Sequence, residues 1–394
     1  MKKFEKILEG LKYKSPLSLL YENDCTPETI KSEMLNDFRP YFLNEDSLEK
    51  YALSYMVADW INFMRVGIVY PAIHNDIKKV LDTYNKAKQT DKERVIQVLS
   101  DLMPYHVEAG NKFWSFINLE VPKVDLELYE FVQTLMKDIS DVIEGLSKIL
   151  YIEQVAINRI IRKKSFDIQK IIDNKLGNNI NELADCSLNS ELFVIGPENL
   201  KLSDWRNVSA HLTYSIKNGQ IVIEYGEKEN KKSFLIGRKE LFDRVRKIMR
   251  TTETLSLAHK FFCFDNMDLL RDSVQKDDME VRDESGFLVF SAGLMSQGFE
   301  IDYIDYSAKD EAILILKDLT DDDPIKRGIH ASQFLVNLWV LTEKPRLVVK
   351  YKTHKGQVFM ISRCGGETCE QVITKEKSLS YLAEKIEFER INGG

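Results

Sequence analysis

Between Arg206 and His211 the chain reads RNVSAH, and these residue types could cleave a phosphodiester without a metal. Histidine takes or gives a proton near neutral pH. Arginine holds a phosphate through forked N–H donors and stabilises the charge that builds on a pentacoordinate transition state. The nucleophile would come from the substrate, as the 2′-hydroxyl that RNA has and DNA lacks. At about 100° per residue, Asn207 and His211 lie one turn apart on a shared face. Arg206 precedes His211 by five positions, about 140° around the helix, so the two meet only through the length of the arginine or through pairing of two chains. Ser203 and Asp204 read as N-cap residues, which predicts Arg206 and His211 in the first turns of a helix whose free N–H groups favour an anion. Asn207 either orients His211 or hydrogen-bonds the helix start.

Spacing alone does not select this pair. With sixteen Arg and six His in 394 residues, an Arg followed by a His after four to six residues is expected about 0.7 times by chance. The full string carries more, because Asn follows the Arg, Ala precedes the His, and a turn-marked hairpin and a basic helix come next. Over roughly 126–262 the chain resembles the HEPN superfamily (higher eukaryotes and prokaryotes nucleotide-binding). RNase members of that family carry R-N-x-x-A-H on a late helix of a four- or five-helix bundle. The matching positions are Arg206, Asn207, Ala210 and His211. The resemblance implies a metal-independent endoribonuclease with no cofactor, in which Arg206, His211 and Asn207 are catalytic. It implies a homodimer with two Arg/His pairs facing a cleft between protomers. It also implies a setting of toxin–antitoxin, abortive-infection or CRISPR-linked antiviral defence, with an antitoxin or sensor protein as partner. Family RNases often add an acidic or polar residue from an earlier helix. Glu144 and Glu153 are the candidates, and each also reads as part of a solvated face. The alternative is a catalytically silent HEPN-like module that binds RNA or protein.

The elements that would position this motif are mainly helical. Residues 1–125 form an N-terminal helical region, with three- and four-residue apolar spacing over 51–84 interrupted by Pro71, a polar connector at 82–94 and a boundary near Pro122. Residues 126–262 form the HEPN-like helical domain. In it 128–164 is one long helix or two joined near Gly145 or Tyr151, and 165–185 is a further helix. Asn218–Gly219 marks a β-hairpin, the polar run 226–232 leads to a third strand, and 238–262 is helical. Residues 263–394 form a C-terminal α+β domain, with strands at 287–293, 299–306, 312–319, 346–353 and 357–363 and helices at 331–344 and 377–389. The predicted fold is therefore multidomain: an all-α bundle with a small β-hairpin insertion, plus an α+β domain.

Charge sharpens the choice of partner. The whole chain carries −7, which disfavours a polyanion, but 126–262 alone counts +2 against −2 for 1–125 and −7 for 263–394. The runs 159–164 and 238–250 concentrate positive charge where an RNA backbone could lie, or form solvated helix faces. No apolar stretch approaches the ~20 residues of a membrane span. The segment 1–14 lacks the apolar core of a secretory signal, and five scattered cysteines make no disulfide framework, so the expected location is cytoplasmic. Cys364 and Cys369 resemble half a zinc site without a second pair, or two thiols flanking a turn. His106 and His259 sit on apolar helices and read as packing residues, and 318–324 reads as an acidic turn.

Overall fold

The computed structural model describes residues 16–117, 126–226, 230–271, 273 and 283–391. The segment 1–14, the boundary at Pro122 and residues 227–229 of the polar turn lie outside the described residues. The chain is mostly helical, with small sheets and one five-stranded C-terminal sheet. It divides into two compact units. One comprises Tyr41–Ser47 and Phe63–Val281; the other gathers Met1–Pro40, Leu48–Asn62 and Arg282–Gly394.

The first unit is a helical bundle around Lys148–Ile161, a helix buried on nearly every side from Ile149 to Asn158. A helix apolar all round belongs in a core. It packs on Lys92–Ile117, Ile73–Thr90 and Leu176–Cys186, while Arg238–Asp265 packs along Ile73–Thr90. The segment 128–164 is two helices, Leu128–Ser140 and Lys148–Ile161, joined by a widened π-type turn at Asp141–Leu146 that contains Gly145. The single helix expected over 165–185 is instead two, Ile168–Ile172 and Leu176–Cys186. Buried Asn179 explains the break: its amide donates to the Ile171 carbonyl at 3.0 Å and accepts from Asn174 at 2.9 Å. The polar connector expected at 82–94 is also corrected. Ile73–Thr90 runs on to Thr90, and only Asp91 separates it from the next helix, with the Asp91 carboxylate accepting from the Arg94 N–H at 3.0 Å.

The hairpin forms at the expected turn. Tyr214–Lys217 pairs antiparallel with Gln220–Tyr225, and Asn218 and Gly219 both take positive φ, 51° and 75°. Lys232–Ile236 adds a third strand.

In the second unit the sheet order, by residue range, is 387–390, 358–365, 346–352, 311–318, 299–305. All pairs are antiparallel except 311–318 with 346–352, which is parallel and bridged by helices Pro324–Ser332 and Leu335–Thr342. Glu311–Asp318 alternates strictly between buried and half-buried positions, as a strand with one face on a core must. That core contains Phe287, Phe299, Leu314, Leu316, Leu335 and Leu347. The strand expected at 287–293 lies instead within the helix Asp283–Ser296. Its buried residues Phe287, Phe290, Ser291 and Leu294 follow helical spacing, and that pattern outweighs the local β-propensity of the run. The helix expected over 377–389 ends at Lys385, and Glu387–Arg390 pairs as an edge strand.

Candidate active site

The motif lies on the helix Leu202–His211. Leu202, Ser203, Trp205, Val208 and Ser209 are buried, whereas Asn207, Ala210 and His211 are exposed and Arg206 is half-exposed. The helix packs on Leu128–Ser140, and Trp205 meets Phe234 of the small sheet edge-on at 6.3 Å between centroids. The apolar face thus anchors the helix and turns the motif outward.

The helix ends differ from the expectation. Ser203 and Asp204 are not caps but lie within the first turn, after the N-cap Lys201. The Asp204 carboxylate accepts from the Lys201 N–H at 2.9 Å, and the Ser203 hydroxyl donates to Asn181 at 2.7 Å. Arg206 is therefore mid-helix and His211 is the last helical residue, followed by Leu212 in the left-handed region at φ 52°. A helix C-terminus favours a cation, so no helix N-terminus assists anion binding at His211.

Arg206 meets Glu144. Its Nε donates to Glu144 Oε1 at 2.5 Å, and its Nη1 donates to Asn207 Oδ1 at 3.2 Å. Glu144 is presented by the widened turn Asp141–Leu146, a distortion that re-aims one carboxylate toward the motif helix. Among the described residues, no hydrogen-bonding or ionic partner accompanies His211. Asn207 contacts Arg206 through its carbonyl oxygen and is not shown orienting His211.

The basic runs are partly spent on structure. Arg159 and Arg162 both pair with Glu182, at 2.6 Å each. Arg238 lies over Phe131 and donates to the Leu126 carbonyl, Arg244 pairs with Glu198, and Arg250 lies over Tyr70. Lys163, Lys164, Lys239 and Lys247 remain exposed.

Glu153 is far from solvent and belongs to a different group. Its Oε2 is 2.7 Å from His106 Nε2 and its Oε1 is 2.9 Å from His259 Nδ1, and the Tyr84 hydroxyl donates to Oε1. The two imidazoles stack with centroids 4.0 Å apart. Burial opposes ionisation of Glu153, but His259 and His106 outweigh it and hold the carboxyl well below its ordinary range. Burial likewise disfavours charge on His259, yet neighbouring Cys263 and Glu153 raise it well above the usual value. Burial and the facing His259 lower His106. Two imidazoles and one phenol thus converge on a single buried carboxylate. The sequence hinted at this only through a glutamate inside the otherwise apolar run ILYIEQVAI.

The remaining candidates are accounted for locally. Cys364 closes the strand Val358–Gly365 and Cys369 sits in the helix Gly366–Ile373. The hydrogen bond from Cys369 pulls the Cys364 thiol down to about 7, and the same bond with burial pushes Cys369 up. Among the described residues, no further metal-binding side chain joins them in a cluster of three. In the acidic turn, Asp318 pairs with buried Arg327 at 3.0 Å, Asp323 caps the next helix at the Ile325 N–H, and Asp321 pairs with His354 at 3.0 Å. No helix among the described residues is long and apolar enough to cross a membrane. No family model, curated protein or solved structure matches the chain.

Proposed function

We propose that the chain is a HEPN-type endoribonuclease that cleaves RNA by internal attack of the 2′-hydroxyl, with no metal at the reacting phosphate, and that it serves as a toxin or abortive-infection effector. The observation that carries this reading is the outward face of the helix Leu202–His211, where Arg206 is held by Glu144 and Asn207 beside an exposed, unpartnered His211. In this scheme Arg206 binds the scissile phosphate and stabilises its transition-state charge. A His211 imidazole takes the 2′-hydroxyl proton as the 2′-oxygen attacks phosphorus. The bond from phosphorus to the 5′-oxygen breaks, and a second His211, from a paired protomer, protonates the leaving oxygen. The products are a 2′,3′-cyclic phosphate and a 5′-hydroxyl.

Glu144 does not forbid this role. Its side chain and that of Arg206 are 41% and 31% exposed, and such pairs are worth about 0–1 kcal/mol, so an RNA phosphate can displace the carboxylate. The same contact favours the second reading, a silent RNA- or protein-binding module, if the guanidinium stays engaged.

Incubation of wild-type and His211→Ala protein with total RNA in EDTA distinguishes the two. Cyclic-phosphate ends from the wild type alone support the nuclease. Intact RNA with both proteins supports the silent module, and equal cleavage by both removes His211 from the reaction.

A further inference from the structure

The buried trio lies in the helical bundle, on residues the proposed RNA chemistry does not use. His106 comes from Lys92–Ile117, Glu153 from Lys148–Ile161 and His259 from Arg238–Asp265. Each offers one ligand atom, and the three atoms lie within 4.8 Å of one another. Glu153 is fully buried, and the two histidine side chains are only 12% and 11% exposed. We infer that His106, Glu153 and His259 form a binding site for a divalent transition metal, zinc above all, which ties three helices of the bundle together.

The donor set argues for this class of ion. Two imidazole nitrogens and one carboxylate oxygen suit zinc and its first-row neighbours, whereas calcium and magnesium require more oxygen ligands and water than this enclosed site provides. The fit needs little movement. At zinc–ligand distances of about 2.0–2.1 Å, tetrahedral ligands stand about 3.4 Å apart. The imidazole–carboxylate contacts are 2.7 and 2.9 Å, so an opening of about half an ångström admits the ion. The outer support is also in place, because the Tyr84 hydroxyl donates to the Glu153 carboxylate and fixes its orientation. Tyr84 comes from a fourth helix, Ile73–Thr90, and stacks on Phe262 with centroids 4.9 Å apart. Three protein ligands leave one tetrahedral position for water.

Binding balances as an exchange. The metal takes the positions on His106 Nε2 and His259 Nδ1 that face the carboxylate; each neutral ring then keeps its one proton on the nitrogen away from the ion, and any further proton leaves to solvent. One carboxylate then opposes a doubly charged ion. The His106 and His259 rings, already stacked at 4.0 Å, move apart as both turn toward the ion.

The test uses the full chain. Protein purified without chelator is assayed for metal by mass spectrometry, then stripped, and titrated with Co²⁺ as a spectroscopic substitute for zinc. The expected result is one tightly held equivalent and the intense visible bands of tetrahedral Co²⁺. Glu153→Gln abolishes those bands, Tyr84→Phe weakens binding about 10- to 100-fold without removing a ligand, and His211→Ala leaves both unchanged. Circular dichroism establishes that each variant is folded. If Glu153→Gln unfolds, the Tyr84→Phe and wild-type titrations still decide. Folded wild-type protein that takes up no Co²⁺, or that binds equally well in Tyr84→Phe, overturns the inference and leaves the trio a hydrogen-bonded ion pair.

Discussion

Two of the carboxylates that meet basic side chains in the helical unit, Glu144 and Glu153, differ in the property that decides their use. Glu144 meets Arg206 at the surface, with both side chains at least 31% exposed. Glu153 meets His106 and His259 where its own side chain is fully buried. Water screens the first pair, so its partners separate at small cost and can serve a substrate. Desolvation makes the second interdependent: each group is tolerable only while the others are present. A surface pair thus suits turnover, and a buried trio suits holding helices together.

The sharpest way to break this comparison is Glu153→Ala. It leaves two imidazoles and the Tyr84 hydroxyl buried without their acceptor, a change of the kind that costs about 3–5 kcal/mol. Denaturant unfolding of the metal-free protein measures it. A loss below about 1 kcal/mol, the range of surface pairs, would erase the distinction between the two carboxylates. His211→Ala is expected to invert the pattern. Its stability stays within about 0.5 kcal/mol of wild type, as for an exposed residue without partners, while RNA cleavage is lost. Glu144→Ala falls between: stability changes by no more than about 1 kcal/mol, and cleavage drops several-fold because Arg206 loses the partner that orients it. Unchanged cleavage in Glu144→Ala would make that carboxylate a solvated neighbour only.

Local signals in the sequence predicted what local physics decides. The Asn218–Gly219 turn fixed its hairpin because few residues other than Asn and Gly take two successive positive φ values. That Asn207 and His211 share one face of their helix followed from their four-residue spacing. The helix ends did not, because the Asp204 side chain accepts from the Lys201 N–H and makes Lys201 the N-cap, while Leu212 in the left-handed region ends the helix just after His211. The run at 287–293 has the residue types of a strand, but its helical spacing puts Phe287 and Leu294 into the core. The Glu153 trio was not legible, since its partners lie 47 and 106 positions away and meet only through bundle packing.

His330, in the α+β unit, is an intermediate case between the exposed His211 and the buried His259, and it predicts the smallest effect. Arg327 Nη1 donates to its Nδ1 at 3.3 Å, and its Nε2 donates to Gln297 Oε1 at 3.0 Å, an arrangement that requires the neutral ring. Burial first, and the Arg327 charge second, lower its pKa, with Asp318 opposing them. The unfolded chain takes up a proton at this residue as pH falls through about 6.5, while the folded chain still excludes it. The unfolded state therefore binds more protons, and the stability His330 contributes is present above that pH and declines below it. Urea midpoints at about pH 7.5 and about pH 5.5 should converge in His330→Gln relative to wild type, because the variant has no proton to exclude. An equal pH dependence in the two proteins would show that half-burial beside a guanidinium leaves this histidine as free to titrate as one on the surface.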